Sequence, residues 1–551
     1  MVKNGKTILS GINPAGRADK IVDSLQIKNR TLYFCPSPLY GYGLTQLLSR
    51  LENEAHGSAV LCIEIDPEFF NLSAENIDAS ITENKKFHLT NIFDIEKLFA
   101  VIRGKWGVMA FRRIEMIRLN GGWQLFAKEY DSITEQLRSE IALQWSNALT
   151  LNKLGRLFIR NLFRNLPLLA DFQSIEKLSY GSSPVLVLGA GPSLDEVLEQ
   201  IIIKREPGTK NNEQRAARCY KIICVDTCLG ALKERGVIPD LVVILESQHW
   251  NLRDFIGCKG WEVNAAIDLS SLPSSALLLS GGGFLFFTEW TNLRVFKRLK
   301  EAGLLPFFMP PLGSVGLTAV EIARNLTTGK IICAGLDFSF TQDKYHARST
   351  PGHRSKLNSH NRFRGLMNIA SYDSYSTAAA SKSGESVYTS PSMKNYRNLF
   401  ESYFSGDSRI YDIEGSGLSL GVKTLSMNEA ISILNEKNLN SESTQTSTNN
   451  CRDIEEKVRE AHGKRNDIIL FYKSERKRLE ELKDILTGEK KADKERLSVL
   501  LNECDYLWAH FPDYSGGREC DTADLSFLKR VRAEIDPMLK LLTVHCPLTA
   551  N

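Results

Sequence analysis

The sequence predicts an α/β protein built on a mostly parallel sheet, with a smaller α/β domain before it and a helical module after it. Three observations carry that expectation. Between residues 175 and 435, short apolar runs such as VLVL, KIICV and IICA alternate with helical patterns, and strands covered by helices on both faces read as continuous apolar runs. A shorter stretch, residues 30–110, shows the same punctuation in TLYFCP and AVLCIEID. Finally, 26 of the 50 residues in Cys451–Leu500 are charged, with apolar residues at helical intervals between them, which is the pattern of long, solvated helices.

Length and composition fit this plan. A chain of 551 residues that is 42% hydrophobic and 24% charged can bury several cores and is not disordered throughout. Its 69 basic and 65 acidic residues leave a net charge of +4, so no global field draws it to nucleic acid or an anionic membrane, and an anion site must be local. The N-terminal MVKNGKTILSGINPAGRADK lacks an apolar core, and the apolar run Ala276–Phe287 is short and holds three glycines. The expectation is a cytoplasmic protein without membrane insertion or nucleic-acid partner. The odd total of 11 cysteines, several inside strand-like runs, argues against a disulfide framework. Cys219, Cys224 and Cys228 match no zinc spacing and read as buried thiols, so no metal site is expected.

The elements divide the chain at 110, 174, 435 and 450. Residues 1–110 form a Rossmann-like α/β domain in which Gly41 and Gly43, with Glu64 and Asp66 about 20 residues on, have the spacing of a nucleotide-ribose arrangement. That spacing admits a methyltransferase reading, but the glycine loop is incomplete and the domain reads as structural or acceptor-binding. Residues 111–174 read as a helical connector, 436–450 as a flexible linker, and 451–551 as a helical domain suited to self-association. In the central domain, 175–435, strands end at Gly189, Asp226, Glu246 and Asp337. Ligands of open parallel sheets sit at such ends.

The most informative segment is VLVLGAGPSLDEVLEQ, residues 185–200. Gly189 and Gly191 leave backbone N–H groups uncovered, Pro192 sets the entry of a helix, and Ser193 reads as its cap, an arrangement that favours a phosphate. The third glycine of the dinucleotide fingerprint is replaced by Leu194. Gly313, Ser314 and Thr318 form a second turn of this kind, before a helix expected to begin near Thr318. Past Asp337, His346, His353 and His360 fall within 15 residues on what reads as a loop. Histidine's ordinary pKa near 6.5 suits proton transfer at neutral pH. No Asp-x-Asp pair stands near the sheet, which fits a donor with a single phosphate.

GAGPSL, VDTCLGALKERGVIPDLVVILE at 225–246, GSVGLTAVEIARNLTTGKIICAGLDFSF at 313–340, KYHA at 344–347, GESVYTSPSMKNYRNLFESYF at 384–404 and IEGSG at 413–417 together resemble the Maf motility-accessory proteins and their 6-hydroxymethylpterin diphosphokinase MptE-like relatives. The N-terminal LYGYG and LCIEIDPEFF resemble the amino-terminal nucleotide-fold domain of that family. Maf proteins are flagellin glycosyltransferases, and their central domain is similar to bacterial sialyltransferases, whose first motif is GNGPSL. Here Ala190 replaces that asparagine.

The resemblance implies transfer of a nonulosonic acid, pseudaminic or legionaminic in type, from a CMP-activated donor to Ser or Thr of flagellin, with no cofactor required. It implies Gly189, Gly191, Pro192, Ser193, Gly313, Ser314 and Thr318 around the donor phosphate and Asp226 and Thr227 at the nucleoside. Tyr345, His346 and Asp337 are the implied catalytic residues. The relatives imply an alternative, an ATP-dependent diphosphokinase of 6-hydroxymethyl-7,8-dihydropterin, in which Mg²⁺ would be held by carboxylates such as Asp226, Glu246 and Asp337. A non-catalytic flagellin-binding accessory protein is a third reading.

Overall fold

The computed structural model describes the whole chain except residues 108–109, 202–217, 342–343, 364, 366–375, 437–450, 492, 513, 515–519 and 546–551, and the side chains of 143, 146, 147 and 451–460. Apart from Glu436, the expected linker lies outside the described residues. The chain divides into two compact units, Met1–Arg156 with Leu507–Ala523, and Leu157–Tyr506 with Asp524–Asn551.

The first unit opens with a hairpin, β1 (Val2–Lys3) and β2 (Lys6–Thr7), and helix α1 (Pro14–Asp23). Its sheet is formed by β3 (Thr31–Pro36), β4 (Ala59–Ile63), β5 (Phe87–Thr90) and β6 (Arg113–Met116), parallel and in the order β5-β4-β3-β6. The crossovers carry α2 (Leu44–Glu54), α3 (Pro67–Asn76), α4 (Ala79–Thr82) and α5 (Ile95–Trp106). Alternation along β3 builds two cores. Tyr33 and Cys35 face Val22, Leu44 and Leu51, while Leu32 and Phe34 face Leu98, Ile102, Tyr130 and Leu137, as a two-residue period requires.

The expected boundary at 110 falls short, because β6 pairs with β3. Arg113-Ile-Glu-Met116 is an edge strand with only Ile114 fully buried, so it carries none of the continuous apolar signal of the inner strands. The helical part of the expected connector is α6 (Ala127–Asn165).

The second unit carries a parallel sheet in the order β13-β12-β11-β10-β9-β8-β14-β17-β18. The strands are β8 (Val185–Leu188), β9 (Lys221–Val225), β10 (Leu241–Ile244), β11 (Asn264–Asp268), β12 (Gly283–Thr288), β13 (Phe307–Met309), β14 (Ile331–Ala334), β17 (Ile410–Ile413) and β18 (Lys423–Leu425). A short β7 (Gln173–Ser174) pairs with β12, so the expected connector ends in this sheet. The inner strands are buried along their length, as their unbroken apolar runs require. Between them lie α7 (Leu194–Gln200), α8 (Leu229–Glu234), α9 (Arg294–Glu301), α10 (Val315–Leu326), α11 (Pro351–Ser359), the hairpin β15 (Thr377–Ala380) and β16 (Ser386–Thr389), α12 (Pro391–Phe404) and α13 (Met427–Asn435).

From β8 the chain adds strands in one direction as far as β13, then crosses back to place β14 on the other side of β8. Right-handed crossovers running in opposite directions put their helices on opposite faces of the sheet. The return helix α10 packs across β8, β9, β10 and β14 and is buried along most of its length. The point where strand order reverses, between β8 and β14, is where a doubly wound sheet opens a crevice at its carboxyl edge.

The charged C-terminal segment folds as α14 (Cys451–Thr487), α15 (Lys494–Glu503) and α16 (Leu525–His545), and α14 packs against the other two. It does not stand as a domain of its own: residues to Tyr506 and from Asp524 belong to the second unit. Phe471 and Tyr472 stack on Phe163. Glu475 of α14, fully buried, accepts from Arg298 Nε and Nη2 of α9 at 2.7 and 2.9 Å and from Tyr506 Oη at 3.2 Å. Among the described residues no helix is long and apolar enough to cross a membrane. Cys224 and Cys228 are buried as expected, but Cys219 is exposed, since it precedes β9 and lies outside its apolar run.

A buried carboxylate that loses its bidentate partner keeps its desolvation cost. Arg478 Nη1 also donates to Glu475 at 3.0 Å and stays behind, so Arg298→Ala should lower unfolding free energy by about 1.5–3 kcal/mol, read from urea denaturation of the full chain.

Candidate active site

The crevice between β8 and β14 is organised around Asp337. After β14, Gly335 takes a left-handed backbone (φ +68°), and the chain delivers Asp337 beneath the Gly189–Ser193 turn. One carboxylate oxygen accepts from Ser193 N at 2.8 Å and the other from Ser193 Oγ at 2.5 Å. Gly191 must be glycine here, since a Cβ would collide with this carboxylate. Asp337 is 3% exposed. Burial pushes its pKa up, against the nearby Lys382 charge and the two Ser193 hydrogen bonds.

Ser193 therefore does not cap α7 with its side chain, as the sequence reading expects. Its hydroxyl is committed to Asp337, and the helix begins at Leu194. Asp337, named as a catalytic candidate, has both oxygens engaged and acts as a latch that holds the turn. Pro192 shapes the same turn, with Leu194 N donating to Gly191 O.

The second expected turn lies next to the first. Cβ atoms on Gly189 and on Gly316 would each approach Leu336 Cδ2 to 2.6 Å, so Leu336 fits between the two turns only because both positions are glycine. Helix α10 begins at Val315, three residues before the expected start. Ser314 is its N-cap and its hydroxyl has no partner among the described residues. The Thr318 hydroxyl instead turns back to Ser314 O at 3.1 Å, and Thr318 is buried, which removes it from a direct ligand role. Gly313 adopts φ +67° beside Tyr396 of α12.

The KYHA loop is fastened to the first turn. Ala347 N donates to Ala190 O at 3.0 Å, setting His346 one residue from that contact. Tyr345 packs against Phe340 at 4.7 Å and His346 at 5.1 Å between ring centroids, with Lys356 Nζ 4.4 Å from its ring centre. His346 Nδ1 is buried without a hydrogen-bond partner among the described residues. Burial, with Lys356 and His353 nearby, lowers the His346 pKa to about 4, so its imidazole is neutral at neutral pH. His353 is not on a loop, as expected, but in the first turn of α11, and His360 is that helix's exposed C-cap. Pro351 at the first helical position and Thr350 as cap supply the start signal.

Asp195, which the sequence reading leaves unassigned, collects the cations of this edge. It accepts from Arg235 Nη2 at 2.8 Å and Lys344 Nζ at 3.0 Å, and Arg348 Nε lies 4.0 Å away. Its place directly after GAGPSL is the signal that could have singled it out. On the other flank, a cavity of about 480 Å³ opens beside Lys382, Glu414 and Ser419. Lys382 is held there by Asp412 Oδ1 at 2.7 Å and Ile413 O at 2.8 Å.

Asp226 ends β9 with both oxygens occupied, Oδ1 by Thr227 N at 2.8 Å and Thr227 Oγ1 at 3.3 Å, Oδ2 by Asn251 Nδ2 at 2.6 Å. This pairing replaces the expected free Asp226–Thr227 contact to a nucleoside. Asn251 also reaches Asp254 Oδ2 at 3.4 Å. Burial raises Asp226 to about 6, and burial with the neighbouring Asp226 charge raises Asp254 to about 7. Glu246 is exposed and bonded to Gln248 N. Among the described residues no three His, Cys, Asp or Glu side chains form a group able to hold a metal ion, so the expected convergence of Asp226, Glu246 and Asp337 does not occur. The acidic pair present is Asp226 and Asp254.

Two measurements check this geometry. Gly191→Ala should displace Asp337 and lower stability by about 1–3 kcal/mol, as measured by urea denaturation. Asp254 has an ordinary value of 3.8. From there up to about 7 the folded chain keeps a proton that the unfolded chain releases, so stability falls as pH rises through that window. Asp254→Asn should flatten this slope in thermal melts at about pH 5 and about pH 8 and raise stability at the higher pH by roughly 1–3 kcal/mol.

Residues 158–343 match the 6-hydroxymethylpterin diphosphokinase MptE-like family. The match takes in every expected donor-binding residue and Asp337, and stops just before Tyr345 and His346. An uncharacterized protein of Treponema pallidum (strain Nichols) is 27% identical over 535 residues, covering 95% of this chain and 90% of that protein. The solved Maf glycosyltransferase from Magnetospirillum magneticum AMB-1 superposes with a TM-score of 0.50 at 13% identity, covering 98% of this chain and 84% of that one. The central segment of the chain is thus MptE-like, set within the fold of a Maf glycosyltransferase.

Proposed function

We propose that the chain is a Maf-like glycosyltransferase that moves a nonulosonic acid from a CMP-activated donor to Ser or Thr hydroxyls of flagellin. The observation that carries this reading is the hydrogen bond from Ala347 N to Ala190 O, which ties a neutral histidine to the Gly189–Ser193 turn at the switch point of the sheet. The expected uncovered N–H groups of this first turn are in use, Gly189 N on Ala334 O and Gly191 N on Gly335 O at 2.8 Å each and Ser193 N on Asp337. A donor phosphate beside that turn would be met by the Ser314 hydroxyl and the first turn of α10 with its dipole. Asp195 with Arg235, Lys344 and Arg348 forms a cluster of net positive charge beside it, suited to a donor that carries both a phosphate and a carboxylate.

In this reading the bond from the anomeric carbon to the CMP phosphate oxygen breaks, and CMP departs with its electron pair. The acceptor hydroxyl oxygen bonds to that carbon as its proton passes to His346. The lowered pKa of His346 keeps the proton-accepting form populated throughout the neutral range. Asp337 is a positioning residue for Ser193, and Tyr345 packs against the histidine ring.

The Asp226–Asp254 pair supports the alternative diphosphokinase reading. Two buried carboxylates whose pKa values are raised by burial, with the Asp226 charge adding to the rise at Asp254, gain from a divalent cation, and they would hold the Mg²⁺ that neutralises a transferring pyrophosphate.

The two readings separate in one assay. Purified chain, a CMP-nonulosonate and flagellin, incubated with EDTA, should yield flagellin heavier by one acidic sugar. Consumption of ATP with a hydroxymethyl-dihydropterin, dependent on Mg²⁺ and without sugar transfer, would establish the alternative instead. His346→Ala should lower kcat by at least about 100-fold with CMP affinity unchanged.

A further inference from the structure

The sheet of the first unit has a switch point of its own. In the order β5-β4-β3-β6, the chain leaves β3 toward β4 and β5 and then returns to the other side of β3. A crevice is therefore expected outside the carboxyl ends of β3 and β6. The usual nucleotide position on the β4 side is closed. Glu64, at the end of β4, is 1% exposed and bound by Ser37 Oγ at 2.7 Å and Tyr130 Oη at 3.3 Å, so its carboxylate cannot reach a ribose. The start of α2 is closed as well, because a Cβ on Gly43 would lie 3.1 Å from Ala18 Cβ of α1.

The open space lies on the β6 side, as a cavity of about 390 Å³. Arg17, Arg118, Thr7, Trp123 and Gln124 line it, and no acidic residue does. Arg118 is positioned from behind: its Nη2 donates to Asp131 at 3.1 Å and its guanidinium lies 4.2 Å from the Trp123 ring centre. Arg17, Thr7 and Gln124 have side-chain polar groups without partners among the described residues. Lys6 Nζ, bonded to Gln124 O at 2.6 Å, adds a third cation at the rim. Behind the lining residue Asn120, whose Nδ2 donates to Ser37 O at 2.7 Å, Ser37 and Leu39 adopt left-handed φ values of 51° and 50° directly after β3. Non-glycine residues persist in that region where surrounding structure holds them, often at ligand clamps.

We propose that this cavity is a binding site, separate from the crevice of the second unit, for a phosphomonoester of mononucleotide size. The cations meet the phosphate, and the unpartnered hydroxyl and amide meet a polar body. The volume is at the small end for ligand pockets, which run from about 300 to 1,000 Å³, and suits a mononucleotide or sugar phosphate better than a dinucleotide.

The test is calorimetry on the full chain with CMP, AMP, ribose 5-phosphate and inorganic phosphate, each to millimolar concentration. Gly191→Val serves to silence the other crevice. At least one ester should bind the Gly191→Val chain, more weakly as salt rises. Adding Arg17→Glu should cut that affinity at least tenfold without changing the melting temperature. Nucleotides binding better than ribose 5-phosphate would identify a base-recognising site, and equal binding a sugar-phosphate site. The proposal is overturned if no ester binds the Gly191→Val chain, if Arg17→Glu binds as tightly as its parent, or if inorganic phosphate binds as well as every ester. Should Gly191→Val not fold, CMP or AMP stoichiometry decides: two sites falling to one in Arg17→Glu support the proposal, and an unchanged stoichiometry overturns it. Because the readout is binding in the first unit, failure here leaves the glycosyltransferase assay untouched, and the reverse also holds.

Discussion

Asp337 joins the two halves of the central sheet's switch point. Its carboxylate comes from the end of β14 and its partner, Ser193, from the turn after β8, so one side chain sets the height and pitch of the Gly189–Ser193 turn. The neighbouring geometry follows from that bond. Gly191 has no side chain because the carboxylate occupies the space, and a Cβ on Gly417 would lie 2.7 Å from the same group. Leu418 N donates to Asp337 O at 2.9 Å, Lys382 N to Gly417 O at 2.9 Å, and Ala347 N to Ala190 O at 3.0 Å. Loops that follow β14 and β17 thereby gather around the turn that follows β8.

Buried carboxylates recur along this edge, and their surroundings give them different uses. Asp195 and Asp412 are paired with cations, and an ion pair of this kind fixes loops in place, since breaking it strands a charge. Asp337 relies on hydrogen bonds from Ser193, with Lys382 near enough to favour its charge. Asp226 and Asp254 have only Asn251 between them and repel each other. Their raised pKa values make this pair the acids of the edge that respond to pH in the neutral range, although Asp226 also holds Thr227 N and Oγ1.

The two units apply the same topological rule with opposite results. In each, the chain reverses strand order beside its first long strand, β3 in one and β8 in the other. In the second unit the glycines after β8 let the turn close against β14, with Gly189 N on Ala334 O and Gly191 N on Gly335 O, and the free start of α10 lies beside them. In the first, Ser37, Glu64 and Tyr130 close the equivalent position on the β4 side with a buried hydrogen-bond network, and a cavity lies beside β6. A shared fold thus does not imply a shared ligand, because local polar packing decides which side of the crevice is accessible.

The sequence by itself determined the α/β class, the inner strands β8, β9, β10 and β14 of the central sheet and the turn at Gly189–Ser193, because each is encoded locally. A strand buried on both faces needs an unbroken apolar run, and a tight turn into a helix needs Gly and Pro at particular positions. Edge strands were not legible: β6 and β7 are short and half exposed, and carry no such run. The start signal of α11 is present in Thr350 and Pro351, whereas the spacing of the histidines alone carries no helical periodicity. Only tertiary structure decided the roles of polar side chains. Ser193 could cap its own helix or bond a distant carboxylate, and Asp226 could face a ligand or Asn251. Those choices depend on what the fold brings within about 3 Å, across up to 144 residues of chain in the case of Ser193 and Asp337. Local spacing contains no record of such distances, so the fold could be read from the sequence while the wiring of the crevice could not.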